Sequence, residues 1–291
     1  MSTTIRSNGR EWPAKRASRW RSTLWGRWRD WSVRNVEVRG QGTVYRFVCG
    51  GLRDYARVAG LFVEEPGTAA WIHQSVKPGD VFYDIGANVG IFTIMAAHHV
   101  GPSGRVVAFE PHAANFAALM RNVAANGFGD RVIAFNAAVH QDSGFYDFNY
   151  ASLGVGSAAS QLIGNAVPGK SPFETVAREM KYAVAIDRLV AGGLVPRPTH
   201  VKIDVDGNEP DIVAGMAALL SRAGKPRSLS VEVSSGEEAA LERWLAPYGY
   251  HLAGTNFTRT GAKRKYRGLW TAEDRYNAIF EAPALQASAA A

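Results

Sequence analysis

The stretch Asp84-Ile85-Gly86-Ala87-Asn88-Val89-Gly90 follows the apolar run Val81-Phe82-Tyr83. An acid closes a strand-like run, two glycines follow, and then Ile91, Ile94 and Met95 recur at helical spacing, so the pattern reads as strand, turn and helix start. Glycine in such a turn removes a Cβ and lets a ligand touch the backbone, and the following helix N-terminus offers free N–H groups. A dinucleotide site would carry G-x-G-x-x-G, whereas this turn is D-x-G-x-x-x-G, which suits a nucleoside bearing an amino acid better than a pyrophosphate. An acid there repels phosphate and can hold an ammonium group. A purely structural βα turn uses the same residue types.

The second carboxylate is Glu110, in Phe109-Glu110-Pro111 at the end of the strand-like run 104–110. An acid at the tip of the second strand can accept both hydroxyls of a ribose. A third group, Lys202, Asp204, Asp206 and Glu209, closes the run Thr199-His200-Val201-Lys202-Ile203-Asp204. Lys202 and Asp204 share a strand face by period two. A partly desolvated carboxylate or a lysine of depressed pKa can act as a general base. Asp204 is the first candidate for that base, with Lys202, Asp206 and Glu209 in support. A simple Lys202–Asp204 ion pair and a helix-start role for Glu209 are the structural alternatives. Asp-Val-Asp-Gly-Asn-Glu superficially resembles a calcium loop, but Gly207 stands fourth rather than sixth. Asp204 with Glu232 is a looser magnesium alternative, not favoured, and no metal residue is assigned.

These residues need a scaffold that brings several strand tips together. Strand-like runs at 44–48, 80–84, 104–110, 131–136, 199–204, 228–233, 248–254 and 277–282 alternate with helical patterns at 53–76, from Ile91, 112–126, 208–222 and 236–246. Strands separated by helices imply an α/β fold, a mostly parallel sheet with helices on both faces. Residues 137–198 are too long for a plain connection and are expected to form an insertion or lid, with a strand at 144–150, a flexible stretch at 153–160 and order again at 184–190.

Charge divides the chain. Residues 1–34 hold nine Arg or Lys side chains against Glu11 and Asp30, which accounts for the whole net charge of +7. Interleaved with them are Trp12, Trp20, Trp25, Trp28 and Trp31. We expect residues 1–43 to form a basic extension, 44–282 the catalytic domain, and 283–291 a frayed alanine-rich tail. The extension suits a solvated or docked arm, a membrane surface or lipid-linked partner, or, less well, nucleic acid. One cysteine, Cys49, excludes an internal disulfide framework and a Cys-based zinc site. With no signal peptide and no bilayer-length apolar run, the expected location is cytoplasmic, with peripheral membrane contact as the alternative.

Taken in order, DIGANVGIFT, VVAFEP, NVAANG, FNAAV, the AIDRL element and VKIDVDGNEPDIVAG resemble the FkbM-type methyltransferases over roughly 78–235. The resemblance implies a Rossmann-like class I methyltransferase fold of seven strands in the order 3-2-1-4-5-7-6, the seventh antiparallel, using S-adenosylmethionine. It further implies that Asp84, Gly86, Asn88 and Gly90 border the methionine portion, Glu110 the ribose, Asn136 and Ala137 the adenine, and that Asp204 borders the cofactor. Transfer to a hydroxyl oxygen of a sugar, glycan or secondary metabolite is likewise implied. The rivals are an RNA methyltransferase using the basic arm and a non-catalytic nucleoside-binding protein. Between the last two strands, Arg259, Lys263, Arg264, Lys265 and Arg267 would overhang the acceptor and favour an anionic small molecule or glycan. A solvated loop is the alternative.

Overall fold

The computed structural model describes residues 34–158, 160–163, 174–205, 207–234, 237–258, 264–267, 271 and 275–283. The expectations placed on the arm before Arg34, on Asp206 and on the tail after Pro283 lie outside the described residues.

The described chain opens on a hairpin, β1 (Arg34–Gly40) and β2 (Thr43–Cys49). Gln41 and Gly42 turn it with φ of 52° and 74°, the backbone of a two-residue loop that matches strand twist. Residues 34–40, assigned from sequence to the extension, are therefore paired strand. β2 buries Tyr45, Phe47 and Cys49. Two helices follow, α1 (Leu52–Ala59) and α2 (Pro66–Ser75), where one was expected. Gly60 caps the first and Pro66 starts the second, where its missing N–H costs nothing.

Next come β3 (Val81–Ile85), α3 (Ile91–His99), β4 (Arg105–Phe109), α4 (Ala113–Ala125) and β5 (Val132–Phe135). The insertion contributes β6 (Ala138–Val139), β7 (Gly144–Tyr150), β8 (Gln161–Ile163) and β9 (Ala177–Val184), a separate four-stranded sheet in the order β6-β9-β7-β8. The chain returns through α5 (Ile186–Ala191), β10 (His200–Ile203), α6 (Glu209–Ala214), α7 (Ala217–Leu220), β11 (Ser228–Ser234), α8 (Glu238–Leu245), β12 (His251–Asn256) and β13 (Arg275–Glu281). The helix expected over 208–222 is split after Ala214. Asp187 accepts from Ala218 N and Leu219 N, both at 2.7 Å, and so caps a second helix start.

The main sheet runs β5-β4-β3-β10-β11-β13-β12. Numbered by its own strands in chain order, this is 3-2-1-4-5-7-6. β13 is antiparallel to both neighbours, and the pairs from β5 through β11 are parallel. Strands buried on both faces read as continuous apolar runs, and alternation assigns their side chains. Tyr83, Ile85, Val107 and Phe109 pack toward α5, α6 and α7. Phe82, Val106 and Ala108 pack toward α2, α3 and the hairpin. Val48 N and Arg46 N donate to Asn122 Oδ1 and Asn126 Oδ1, at 2.7 and 3.0 Å, fixing the hairpin to the end of α4.

Candidate active site

The carboxyl tips of β3, β4 and β10 meet. Gly86 N and Ala87 N donate to Phe109 O, both at 3.0 Å, and Asp204 N donates to Ile85 O at 3.0 Å. Gly86 has φ +84°, and a Cβ there would lie 1.8 Å from Asp204 O. Only glycine lets the first turn approach the fourth strand this closely. A cleft opens at the junction, lined among others by Gly86, Asn88, Glu110, Ala137, Ser157 and Asp204. Five residues singled out from sequence therefore share one cleft: Gly86, Asn88, Glu110, Ala137 and Asp204.

Glu110 is buried, with Oε2 accepting from Asn88 N at 2.6 Å and Oε1 from His112 N at 2.8 Å. Burial pushes its carboxyl up to about 7, against the opposing pull of those two amide bonds. His112 also caps α4 and bonds Ser152 O through Nε2 at 2.8 Å.

Asp84 does not line the cleft. Its register partner on β10 is Lys202, and the two side chains share the α2–α3 face. Asp84 Oδ2 accepts from Thr93 Oγ1 at 2.6 Å, while Oδ1 lies 3.9 Å from Lys202 Nζ and accepts no hydrogen bond. Burial raises the Asp84 pKa, with Lys202 and Thr93 pulling against it. Gly90 is also away from the cleft: its φ is +86° and a Cβ would meet Leu119 Cδ1 at 2.4 Å, so it serves helix packing. Asn136 donates to Glu110 O at 2.8 Å and Pro111 O at 3.1 Å, and accepts from Lys181 Nζ at 3.3 Å. It ties the turn after β4, and Ala137 alone of that pair faces the cleft.

Lys202 Nζ donates to Asp204 Oδ2 at 2.7 Å and lies 5.2 Å from the Phe92 ring centroid. Burial by itself would lower its pKa, but the carboxylates of Asp204, Asp84 and Glu65 outweigh that and the net shift is upward. Lys202 is an ammonium, so the reading of a depressed-pKa lysine base is corrected. Glu209 is no cleft residue either. Its Oε1 accepts from Val205 N at 3.2 Å and Gly207 N at 3.1 Å, which closes the β10–α6 turn. Burial raises its pKa against those amides. Glu232 is bonded by Arg275 Nη1 at 2.9 Å, which opposes a metal shared with Asp204, and no cluster among the described residues could hold a metal ion.

Two features escaped the sequence reading. Glu65, just ahead of α2, carries a raised pKa, first from desolvation and next from the charge of Asp204, with Lys202 pulling it down. The signal was local, an acid before the helix-starting Pro66. The other is the segment 151–158. Its residues 153–158 fall in the stretch 153–160 expected to be flexible, yet it is anchored: Asn88 Nδ2 and Asn115 Nδ2 donate to Ser157 O, both at 2.9 Å, and Gly156 N donates to Asn115 Oδ1 at 2.8 Å. It thus forms one wall of the cleft. In the basic stretch 259–267, the described residues 264–267 are exposed, and Lys265 Nζ lies 4.1 Å from the Phe257 ring centroid. The other members lie outside the described residues.

The methyltransferase FkbM domain matches residues 84–252, more than half of the chain and the span from the first strand tip to β12. The chain belongs to the FkbM methyltransferase family. It is therefore a methyltransferase of Rossmann-like fold. This FkbM-family chain is similar to the hexuronic acid methyltransferase AglP of Haloferax volcanii, 25% identical over 201 residues, 67% of this chain and 76% of that protein. It is also similar to the 31-O-demethyl-FK506 methyltransferase FkbM of Streptomyces tacrolimicus, 44% identical over 57 residues, which are 20% of this chain and 22% of that one. Among solved structures, methyltransferase FkbM from Methylobacillus flagellatus KT superposes with a TM-score of 0.45 at 15% identity, covering 73% of this chain and 50% of its own. The chain thus spans about half the length of that structure. Aeropyrum pernix fibrillarin with natively bound S-adenosyl-L-methionine superposes with a TM-score of 0.44 at 12% identity, over 84% of this chain and 82% of its own.

Proposed function

We propose that this chain transfers a methyl group from S-adenosylmethionine to a hydroxyl oxygen of a sugar or sugar-like metabolite. The observation that carries the proposal is the convergence of Gly86, Asn88, Glu110 and Asp204 on one cleft. That donor set fits the nucleoside: Glu110 offers a buried carboxylate to two ribose hydroxyls, the Gly86 turn leaves backbone open to contact, and Ala137 gives an apolar surface for a base. S-adenosylmethionine supplies an electrophilic methyl carbon on a sulfonium. The chain's part is alignment and proton removal. Asp204, part-exposed at the junction, would accept the acceptor's hydroxyl proton as the oxygen forms its bond to carbon. Lys202 holds Oδ2 of that carboxylate, and Oδ1 makes no hydrogen bond among the described residues, so it is available to an acceptor. Oxygen and sugar as acceptor draw support from the names of the two relatives, one a hexuronic acid methyltransferase and one a 31-O-demethyl-FK506 methyltransferase.

The test is single-turnover transfer of labelled methyl to a panel of neutral sugars, uronic acids, sugar phosphates and RNA. Label is expected in a sugar methyl ether. Asp204→Asn should lower the rate by about 100-fold or more, with S-adenosylhomocysteine affinity within about threefold of the unsubstituted chain. Label confined to nitrogen or to RNA would overturn the proposal, as would an Asp204→Asn variant that turns over normally.

A further inference from the structure

A second groove adjoins the cleft. It lies between α1 and the segment 151–158, measures ≈ 640 Å³ and opens to solvent. Ser157 and Ala158 line both, so a two-residue wall separates the groove from the nucleoside site. Its other side carries Arg53 and Arg57, four residues apart and so on one face of α1.

Each guanidinium is only partly used. Arg57 Nε donates to Gly156 O at 2.6 Å, and Arg53 Nη1 donates to Ser152 Oγ at 3.1 Å. Their other N–H groups have no hydrogen-bond partner among the described residues, and neither arginine has a carboxylate within ion-pair distance there. Asp54 and Glu64 form no ion pair with them, and the buried carboxyl of Glu65 feels the charge of Arg57 without a contact at ion-pair distance. Asp54 is buried and committed to the amides of Gly50, Gly51 and Tyr55 at 2.7, 2.9 and 3.0 Å, and Glu64 sits at the exposed rim. A guanidinium held in place by one bond presents the rest of its fork in a fixed orientation, which suits planar or tetrahedral oxyanions.

The groove also leads toward the reacting groups. Ser157 and Ala158, which the groove shares with the cleft, stand on the cleft's lining together with Asp204. An acceptor with its anionic end on the arginines would therefore reach the cleft of Asp204 by crossing that shared two-residue wall.

We propose that Arg53 and Arg57 form the oxyanion subsite of the acceptor, taking a carboxylate or phosphate borne by the sugar whose hydroxyl is methylated. This rests on the acceptor reading given above and assigns selectivity to α1 rather than to the basic stretch 259–267. A role limited to holding residues 151–158 in place would not discriminate charged from neutral sugars, and this separates the two explanations.

The experiment uses the full chain saturated with S-adenosylhomocysteine and measures binding of D-glucuronate, glucose 1-phosphate and D-glucose by saturation-transfer NMR. Either anionic sugar should bind at least tenfold more tightly than glucose, and the arm that does so identifies the oxyanion. Arg53→Gln and Arg57→Gln should each remove most of that margin, with glucose binding and S-adenosylhomocysteine affinity within about twofold. Arg57→Lys should retain part of it. Melting temperature is measured for each variant; where one fails to fold, competition by added inorganic phosphate in the unsubstituted chain replaces it, and phosphate should displace glucuronate. Equal binding of all three sugars, or an anion preference that survives both Gln substitutions, overturns the proposal. Absence of S-adenosylhomocysteine binding would sink the methyl-donor reading instead and leave an anion preference in the groove standing.

Discussion

Cofactor binding by this chain should be proton-linked, and the link should run through Glu110. The free carboxyl is pushed up to about 7 because burial penalises its charge. Ribose hydroxyls donating to it would favour the charged form and return it toward the ordinary value of 4.5. A site that prefers bound carboxylate over free carboxylic acid must lose its proton before or during binding. Affinity should therefore be level at pH 8 and weaken about tenfold by pH 6, about 1.4 kcal/mol for one unit below the free pKa. Calorimetry with S-adenosylhomocysteine at pH 6 and 8, in two buffers of different ionisation enthalpy, reads both parts. Nearly one proton should be released per site at pH 6 and about a tenth of one at pH 8. Glu110→Gln should bind more weakly at pH 8 and show neither the slope nor the release. The sign for stability is opposite. A carboxyl raised in the folded state contributes stability that is fully present below 4.5 and lost as pH rises through 7, so the ligand-free chain should gain more from Glu110→Gln at pH 8 than at pH 5. A flat affinity profile with no proton release, or a slope unchanged in Glu110→Gln, would refute the reasoning.

Two further outcomes follow from the packing. Gly86→Ala places a Cβ 1.8 Å from Asp204 O at φ +84°, so backbone strain and displacement of β10 should cost about 2–4 kcal/mol in urea unfolding and abolish S-adenosylhomocysteine binding. A variant that melts and binds like the unsubstituted chain would show that the two tips are not in contact. Lys202→Met leaves Asp84 buried without its cation and Asp204 without its 2.7 Å partner. It should lose about 3–5 kcal/mol, and Lys202→Met with Asp84→Asn should recover part of that loss, as read by the denaturation midpoint.

The main sheet was legible because its signals are local. Apolar runs bounded by turn residues marked β3, β4, β10 and β11, and the glycine turn after β3 with the acids after β4 and β10 marked where a ligand would meet the chain. Helix breaks were harder. Gly60 with Pro66 was a readable stop, but the division after Ala214 depends on Asp187 reaching Ala218 N and Leu219 N from α5, about thirty residues earlier in the chain.

The sequence by itself determined which residues stand at the strand ends that meet in the cleft: Gly86, Asn88, Glu110 and Asp204 are there because strand period and turn chemistry are properties of short segments. Only the tertiary structure decided which way the acids point and what they meet. Parallel register sets Asp84 against Lys202 instead of in the cleft, and the insertion folds back so that Gly156 and Ser152 reach arginines 99 residues away. Glu65 feels the charge of Asp204 only because α2 packs on the sheet. Such contacts depend on the relative placement of separately folded segments, and no periodicity within either partner encodes them.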